Sequence, residues 1–337
     1  MIGCRRSKMA TIKDVAKLAG FSITTVSRVL NNDTSLSVSY ETKEKIFQAA
    51  DKLNYRKQTV RPQVKNIAFL YWLTDKEELE DVYFKTIRLE VEKYAKKYNV
   101  DLQIFKIGQG INVLPKDIEG FIAVGSFSSK ELDYLKNITP FGVFIDSSPA
   151  PDIYDSVRPD LNYITENAIN YLIEKGHTNI GFIGGTYHNP DTGLEEMDIR
   201  EIKFRSYLKE KNLLNEDFIF VHRGFQVENG YNLMKTAINK LGDKLPTAFF
   251  IAADPIAVGS LQALNEYGIP IPNRVSVISI NNISIAKYVS PPLTTYHIEI
   301  KELCKTAIEL LLEQKLNKRK FVKTVYIGSE LVVRKST

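Results

Sequence analysis

The stretch TIKDVAKLAGFSITTVSRVLNN, residues 11–32, decides the fold of the first part of this chain of 337 residues. Its first apolar residues recur at the spacing of one helix face: Ile12, Val15, Ala16 and Ala19. Thr11 and Asp14 have the spacing of a capping box at the start of that helix, and Gly20 favours a left-handed turn at its end. The stretch therefore predicts a short helix followed by a tight turn.

Two further helices are predicted in the same segment. The second begins at Ser22, a residue that caps helices well. Its inward-facing residues are Val26, Val29 and Leu30. The third fits residues 40–53, and its predicted buried side is Ile46, Phe47, Ala50 and Leu53. Short helices bury little area alone, so each needs the other two, and two of them joined by a glycine-containing turn form a helix-turn-helix.

The outward face of the second helix carries side chains suited to reading DNA. With the start of this helix in the major groove, Ile23 and Thr24 read shape and thymine methyl groups, and Arg28 offers a bidentate pair to guanine. Nearby hydroxyl and amide groups suit phosphate oxygens. Ser22 is equally suited to capping, and Arg28 has the alternative of a solvated surface charge. The predicted DNA-binding residues are Ser22, Ile23, Thr24, Thr25, Ser27, Arg28, Asn31, Ser39, Arg56 and Lys57.

The charge of the chain is unevenly distributed. Residues 1–66 contain 13 lysines and arginines against 5 acidic residues, whereas the remainder contains 32 basic and 35 acidic residues. A basic first segment is typical of a nucleic-acid-binding head on a separate body. Cys4 and Cys304 form no disulfide or metal motif, and no apolar run has the length of a membrane span. With no secretory signal, we expect a cytoplasmic protein without membrane contact.

The rest of the chain alternates strand-like apolar runs with helical segments. IAFLYW precedes a predicted helix over 82–98, TAFFIAA precedes another over 255–267, and KTVYIGSELVV is a closing strand. Strands separated by helices form parallel sheets. Two consecutive sets of such units predict two lobes with ligand between them at the carboxyl ends of the strands. We predict an α/β fold, with a three-helix head over 9–55 and a core of two doubly wound parallel sheets.

Three polar positions at strand ends are expected to meet in one cleft. Asp146 ends FGVFID, Asp254 ends TAFFIAAD, and Asn281 follows SVISI. Carboxylates and amides bind paired sugar hydroxyls, and aromatic faces pack against the apolar side of a pyranose. Asp254 precedes a proline and has the alternative role of a helix cap. These groups suit a ligand with several hydroxyls, such as a sugar.

No catalytic constellation is present in the sequence. IGFIGG at 180–185 is not a GxGxxG fingerprint, and no helix start follows it to bind a pyrophosphate. The four histidines lack metal-ligand spacing, and no GxSxG or paired-carboxylate motif occurs. His177 is interpreted as a packing residue of its lobe. We therefore predict no enzyme activity, no cofactor and no metal.

The head resembles the DNA-binding head of the lac repressor family. The residues that match the family signature are Gly20, Ser22, Thr25, Val26, Ser27, Arg28, Val29 and Asn31. Members of that family usually begin where Met9 stands, so we expect residues 1–8 to be an upstream start or a disordered arm. The family continues with a hinge helix whose leucine enters the minor groove. The hinge at 56–66 lacks that leucine and contains Pro62, so we expect phosphate contacts without a stable hinge helix.

The core resembles the sugar-binding core of the same family and of periplasmic binding proteins. DSVRPD, ISINNIS, SPPLTTYHI and LVVRKST occur in family order within residues 67–337. The resemblance implies three crossings between the lobes. Lobe 1 then spans about 67–158 and 297–327, and lobe 2 spans about 159–296 and 328–337.

The same resemblance implies further ligand contacts. Arg200 matches a clamping arginine, Phe225 an aromatic platform, and Tyr71, Trp72 and Ser126 match cleft positions of the first lobe, with ordinary core as the alternative for Trp72. Ala253 stands where the family often has asparagine, which removes an amide. The predicted ligand-binding residues are Tyr71, Trp72, Ser126, Asp146, Arg200, Phe225, Asp254 and Asn281.

These features predict a homodimeric transcriptional repressor that binds operator DNA and responds to a small-molecule effector. DIREIKF, NGYNL and SINNIS resemble galactose-operon and evolved β-galactosidase repressors, so galactose is the expected effector. The chain stops at LVVRKST without the heptad tail of tetrameric relatives, which favours a dimer. The alternatives are a regulator of the same family with a purine effector or a phosphoprotein corepressor, and a sugar-binding transport protein.

Overall fold

The structure is a computed structural model, and the residues that it describes are 10–30, 36, 38–53, 55, 64–74, 78, 81–317 and 319–337. The chain divides into two compact units, residues 1–62 and 63–337. The first contains a helical head and the second an α/β core. The predictions for Asn31, Arg56 and Lys57, and for most of the hinge, lie outside the described residues.

The head contains the helices α1 (Ile12–Ala19), α2 (Ile23–Leu30) and α3 (Tyr40–Lys52). Asp14 closes the first turn of α1, because its Oδ2 accepts from the backbone N–H and the hydroxyl of Thr11, at 2.7 Å each. Gly20 ends α1 at a φ of 75°, the left-handed turn that the sequence predicts. One apolar core joins the three helices and consists of Val15, Ala16, Val26, Val29, Ile46, Ala49 and Ala50.

One predicted core residue of the head faces solvent instead. Phe47 is 43% exposed, whereas Ala49 is 4% exposed and takes the inward position. The helix period explains the difference, because positions 46, 49, 50 and 53 lie on one face and position 47 lies about 100° from it. The prediction for Phe47 is therefore wrong, and those for Ile46, Ala50 and Leu53 are confirmed.

The core alternates strands and helices along the chain. Its helices are α4 (Val82–Lys97), α5 (Ser129–Ile138), α6 (Leu161–Glu174), α7 (Ile199–Glu210), α8 (Val227–Leu241), α9 (Asp254–Glu266) and α10 (Ile300–Asn317). Its strands are β1 (Val64–Trp72), β2 (Val100–Lys106), β3 (Gly120–Gly125), β4 (Gly142–Ile145), β5 (Asp155–Pro159), β6 (Ile180–His188), β7 (Glu195–Met197), β8 (Ile219–Arg223), β9 (Ala248–Ile251), β10 (Ser276–Asn281), β11 (Thr294–Ile298), β12 (Thr324–Ile327) and β13 (Ser329–Val332).

Lobe 1 is a six-stranded sheet with the strand order β2-β1-β3-β4-β5-β12. All of its strand pairs are parallel. Apolar side chains of α4 and α10, such as Ile87 and Ala307, cover one face, and Phe121 and Phe144 pack on the other. The order reverses between β1 and β3, and doubly wound sheets bind ligands at such a reversal.

Lobe 2 has the corresponding order β8-β6-β9-β10-β11-β13, with β7 paired to the last residues of β6. Its strand pairs are parallel except those made by β7 and β13. The helices α8 and α9 approach closely at two glycines. A Cβ atom at Gly230 would lie 1.9 Å from the Ile256 oxygen, and one at Gly259 would lie 1.9 Å from the Val227 oxygen. Only glycine permits this approach.

The chain passes between the two sheets three times. It leaves lobe 1 after Pro159, returns after Ile298 and leaves again at Gly328. The stretch KTVYIGSELVV is therefore two short strands in different sheets, and not the single closing strand that its apolar pattern suggests. The predicted α/β fold class, a three-helix head with two doubly wound lobes, is confirmed.

The described part of the chain contains no helix that could cross a membrane and no cluster of His, Cys, Asp or Glu that could hold a metal ion. His177 packs within lobe 2, where its ring nitrogens lie 2.9 Å from the Thr247 hydroxyl and 3.1 Å from the Ser276 hydroxyl. Burial lowers the pKa of His177. The Cys304 thiol is free and fully buried, and burial raises its pKa.

Candidate functional site

The first candidate site is the exposed face of α2 in the head. Ser22 caps this helix, because its Oγ accepts from the Thr25 backbone N–H at 3.0 Å. The two hydroxyls also form a hydrogen bond of 2.8 Å. Val26 and Val29 are buried against the other helices. Capping and burial together fix which side of α2 faces outward.

The outward side of α2 carries the predicted reading residues. Ile23 is 45% exposed, Thr24 is exposed, and Ser27 and Arg28 are half-buried. An exposed isoleucine at the start of a helix has no packing role within the head. Ser39 caps α3 in the same way as Ser22 caps α2, since its Oγ accepts from the Thr42 N–H at 3.2 Å. The first turn of α2 is therefore exposed to solvent.

The second candidate site is the cleft between the lobes, and Asp146 forms its lobe 1 wall. Asp146 directly follows β4 and has a φ of 70°, a left-handed conformation that is uncommon for residues other than glycine. Its Oδ1 accepts from the Tyr83 hydroxyl at 2.7 Å. Burial raises the pKa of Asp146, while the Tyr83 hydrogen bond and the charge of Arg200 act in the opposite direction.

A second carboxylate, Asp81, lies on the same wall. It caps α4, because its Oδ1 accepts from the Tyr83 backbone N–H at 2.9 Å. Burial raises the pKa of Asp81, the Tyr83 N–H and the charge of Arg200 lower it, and the charge of Asp146 raises it. Lobe 1 thus brings two carboxylates to the cleft, and both are affected by an arginine of lobe 2.

That arginine, Arg200, is held in a buried network at the start of α7. Its Nε and one terminal nitrogen donate to the two oxygens of Asp198, at 2.6 and 2.7 Å. Its other terminal nitrogen donates to the Ala252 carbonyl at 2.7 Å. The Tyr187 hydroxyl accepts a further bond of 2.9 Å. These hydrogen bonds use four of the five guanidinium N–H groups.

In this network the negative charge of Asp198 balances the positive charge of Arg200. Asp198 is fully buried and Arg200 is 6% exposed. Burial alone would lower the pKa of Arg200, but the charge of Asp198 raises it, so the guanidinium stays protonated. Two aromatic rings complete the wall, since Arg200 lies 4.9 Å from the centroid of Phe225, and Tyr187 packs on the same ring at 5.1 Å.

Two polar atoms next to Asp146 lack partners among the residues that the structure describes. They are the Ser147 hydroxyl and Nε of Arg158, and both are buried. Arg158 interacts with the charge of Asp146, and its terminal nitrogen donates to the Tyr326 hydroxyl at 2.7 Å. Buried polar atoms are rarely left unpaired in proteins. The Ser147 hydroxyl and Arg158 Nε are therefore unusual buried polar atoms beside Asp146.

Two of the predicted ligand contacts, Trp72 and Tyr71, are buried in this structure. Trp72 is 2% exposed, stacks on Phe127 at 5.4 Å and donates from its indole to Glu131 Oε1 at 2.8 Å. Tyr71 is fully buried on the opposite side of β1. Both pack the core of lobe 1, because each face of a parallel sheet is covered by helices. Ser126, which follows β3, is exposed.

Asp254, another predicted ligand contact, begins α9 and is hydrogen-bonded inside lobe 2. It is fully buried, its Oδ2 accepts from the Ile283 N–H at 2.8 Å, and its Oδ1 accepts from the Thr295 hydroxyl at 2.7 Å. Burial raises the pKa of Asp254 to about 7, against the effect of these hydrogen bonds. Asp254 therefore holds the segment after β10 in place, and its two oxygens are already used.

Asn281, which ends β10, keeps a position comparable to that of Asp146 at the end of β4. It is 8% exposed and has a φ of 113°, a strained value for a residue with a side chain. Its neighbour Asn282 is used inside lobe 2, where its Oδ1 accepts from Arg334 at 2.6 Å. The structure thus brings together Asp146, Arg200 and Phe225, and it places Trp72 and Asp254 in the interior.

Several residues of the cleft were missed from the sequence. They are Asp81, Tyr83, Arg158, Tyr187 and Asp198. Asp81 and Asp198 each precede a helix, and this capping position was a usable signal. The two tyrosines and Arg158 carry no local signal, since their partners lie at least 13 residues away.

Comparisons with known proteins find relatives for both units of the chain. Residues 11–58 match bacterial regulatory proteins of the lacI family, and residues 169–337 match a periplasmic binding protein-like domain. The regulator GanR of Bacillus subtilis (strain 168) is 70% identical over 328 residues, which cover 97% of this chain and 99% of GanR. The regulator GalR of Lacticaseibacillus casei is 37% identical over 332 residues, covering 98% of this chain and all of GalR.

Solved structures share the fold. The lac repressor dimer bound to operator and the anti-inducer ONPF superposes with a TM-score of 0.69 at 21% identity, covering 98% of this chain and 99% of that one. The complex of the regulator CelR with cellobiose has a TM-score of 0.69 at 21% identity, covering 97% of this chain and all of that one.

A helix-turn-helix head on a two-lobed binding core defines a class of DNA-binding transcriptional regulators. Within that class, the chain belongs to the lacI family of bacterial regulatory proteins, because it matches GanR at 70% identity over nearly its whole length. Its relatives are named as transcriptional regulators. The protein is therefore a regulator and not an enzyme, as the sequence predicts.

Proposed function

We propose that this protein is a transcriptional repressor whose affinity for operator DNA is controlled by a sugar bound between its lobes. The head supplies the DNA contact, with the first turn of α2 in the major groove. Ile23 and Thr24 reach base edges there, and Arg28 pairs with a guanine. The exposure of Ile23 supports this role, because nothing within the head requires an isoleucine at that position.

The proposed sugar site is supported by two charged residues that face each other across the cleft. Asp146 of lobe 1 and Arg200 of lobe 2 lie close enough for each charge to affect the other group's pKa. A carboxylate accepts hydrogen bonds from two neighbouring hydroxyls, and the remaining guanidinium N–H donates to a ring or hydroxyl oxygen. Phe225 offers an apolar face to a sugar ring. Because Asp198 already neutralises Arg200 and the remaining carboxylates are Asp81 and Asp146, a neutral polyol fits better than an anion.

The partners follow from the same proposal. We expect galactose or a β-galactoside as effector, from the resemblance of the cleft segments to galactose-operon repressors. Structures of the same fold hold cellobiose in CelR and ribose in a regulator from Enterococcus faecium, which supports a sugar in general. The lac repressor is a dimer on its operator. A homodimer in the cytoplasm would likewise place two heads on two half-sites.

Sugar binding acts by shifting a population. The core exists in two states that differ in operator affinity, and the sugar stabilises the state to which it binds more tightly. The shift cannot exceed the ratio of the sugar's affinities for the two states. In the expected direction, sugar binding releases the operator.

The test uses the full chain and two readouts. The operator is first isolated by binding-site selection, and the affinity for it is then measured with and without galactose. In parallel, galactose, lactose, cellobiose, ribose and hypoxanthine are titrated while the melting temperature is followed, since a bound ligand raises it by mass action. We expect galactose or lactose to raise the melting temperature and to weaken operator binding. A response to hypoxanthine alone would replace the sugar by a purine effector.

A further inference from the structure

A hairpin of lobe 2 projects beyond the sheet at the end of β6. The strands β6 and β7 pair from Thr186 to Met197, and a six-residue turn at 189–194 joins them. Asn189 shapes this turn, because its side-chain oxygen accepts from the N–H groups of Asp191 at 2.8 Å and Thr192 at 3.1 Å. Gly193 completes it with a φ of 71°. The turn is therefore internally fixed, and it holds Asp191 at its tip.

Asp191 contacts the other lobe. Its carboxylate accepts from the Ser129 backbone N–H, at 2.9 Å to Oδ1 and 3.0 Å to Oδ2, and from the Ser129 hydroxyl at 2.7 Å. Ser129 is the first residue of α5 in lobe 1. Among the described residues, this pair provides hydrogen bonds that join the lobes away from the crossover strands. A carboxylate at the start of a helix is also favoured by the helix dipole.

The capping of α5 explains why Ser129 is available. Ser128 caps the helix, and its N–H and hydroxyl both donate to Glu131 Oε2 at 2.8 Å. The Glu131 carboxylate therefore accepts from Ser128 and not from Ser129. The N–H of Ser129 has no partner inside the helix, as expected for the first turn. Asp191 supplies that partner from the opposite lobe. The bond can form only while the lobes are together.

We propose that the hairpin at 189–194 holds the cleft closed over its ligand, through the hydrogen bonds that Ser129 donates to the Asp191 carboxylate. We call this contact the latch. The proposal rests on the cleft being the effector site. When the lobes close, the hairpin lies at the mouth of the cleft. The ligand can then leave only after the Asp191–Ser129 hydrogen bonds break. The latch thus slows effector release and stabilises the closed state whether or not ligand is present.

The first test needs no ligand. In the full chain, amide hydrogen exchange at Ser129 reports the latch directly, because that N–H is bonded only when the lobes are closed. We expect Asp191→Ala to speed this exchange at least about fivefold, in line with the loss of a charged hydrogen-bond partner. Glu210→Ala removes an exposed carboxylate from the same lobe and serves as the matched control. Equal exchange at Ser129 in wild type and Asp191→Ala would overturn the latch.

The second test measures ligand release. Trp72, the single tryptophan, bonds to Glu131 in the first turn of α5 and is a natural fluorescence probe of this region. With galactose as the probe ligand, Asp191→Ala is expected to dissociate about 3- to 30-fold faster, since most affinity changes appear in the dissociation rate. Ser129→Pro removes the N–H but keeps a residue that is accepted at the first helical position. It should have a similar effect.

The double variant decides whether the two residues act together. If they form one latch, Asp191→Ala and Ser129→Pro combined will release galactose no faster than the more severe single variant. Multiplied effects, or an unchanged release rate in Asp191→Ala, would refute the latch. Wild type could fail to bind galactose while hydrogen exchange at Ser129 still depends on Asp191. That result would refute galactose as the effector but would support the Asp191–Ser129 contact between the lobes.

Discussion

The hydroxyl of Tyr83 donates a hydrogen bond of 2.7 Å to Oδ1 of Asp146, linking the first turn of α4 to the end of β4. Tyr83 is 4% exposed, so its position is fixed by packing within lobe 1. The bond restrains the Asp146 carboxylate through its Oδ1. We therefore expect Tyr83 to act as a positioning residue for the proposed sugar site.

Removing that hydroxyl should weaken sugar binding without abolishing it. In Tyr83→Phe the ring still fills its site, and Asp146 loses one donor, so we expect affinity for galactose to fall about 3- to 10-fold. Because the Tyr83 bond lowers the pKa of Asp146, its loss raises that pKa further. The acid limb of the binding profile should then move to higher pH. A fluorescence titration at several pH values measures both effects, and an unmoved acid limb would contradict this role.

Asp146→Ala should give a repressor that binds operator but does not respond to sugar. The substitution removes the lobe 1 carboxylate that we assign to the hydroxyls and leaves the head unchanged. Operator affinity with and without galactose is the measurement. Asp152→Ala, which removes an exposed carboxylate of the same lobe, is the control and should respond normally. Normal release of the operator by galactose in Asp146→Ala would rule out the assignment.

Arg28→Ala should weaken operator binding and relax the preference at one base pair. A bidentate arginine–guanine contact is worth about 1–3 kcal/mol against a wrong base. Lys43→Ala removes a positive charge from α3 and tests for general electrostatics. We expect Lys43→Ala to affect all sequences alike, whereas Arg28→Ala changes one position in a binding-site selection. Unaltered preference in the Arg28 variant would show that this arginine contacts only the backbone.

Asp254 should make the stability of the core depend on pH. Burial raises its pKa from 3.8 to about 7, so the folded state keeps a proton that the unfolded state loses. The free energy of unfolding therefore falls as the pH rises from 3.8 to about 7, by at most about 1.4 kcal/mol per pH unit from this group. Asp254→Asn cannot titrate and should lack this slope. Urea denaturation at pH 5, 6, 7 and 8 provides the comparison, and parallel pH profiles would exclude the shift.

Gly259→Ala should destabilise the core. The added methyl would lie 1.9 Å from the Val227 oxygen, so α8 and α9 must separate. Overpacking of this kind costs about 1–3 kcal/mol, or more where backbone is the obstacle. Gly108→Ala meets no atom within 4 Å and is the matched control. Similar denaturation midpoints for the two variants would mean that the helices adjust without cost.

The sequence predicted the head well because its signals are local. The helix spacing, the cap at Ser22 and the left-handed Gly20 all act within about four residues. Phe47 is the exception, since it adjoins Ile46 and an apolar residue was assumed to face inward. In a short helix the 3.6-residue period decides which side chains face inward, more than how apolar each residue is. The exposed fraction of 43% follows from its position on the helix.

The core was predicted as an architecture but less well as a site. Alternating strands and helices indicate parallel sheets, and strand ends indicate where a cleft lies. Trp72 and Asp254 occupy such ends, yet both side chains turn into the interior. Strands covered on both faces have apolar residues throughout, so alternation cannot tell which side chain reaches the cleft.

By itself, the sequence determined the class of this protein: a helix-turn-helix head and two α/β lobes, matched to the lacI family. Tertiary structure alone decided the contacts that make the cleft, such as Tyr83 with Asp146 and Ser129 with Asp191. These pairs are separated by 63 and 62 residues. Helix and cap signals extend over only a few residues, whereas Tyr83 meets Asp146 only after the strands of lobe 1 have taken their order, and Ser129 meets Asp191 only when the two lobes lie together.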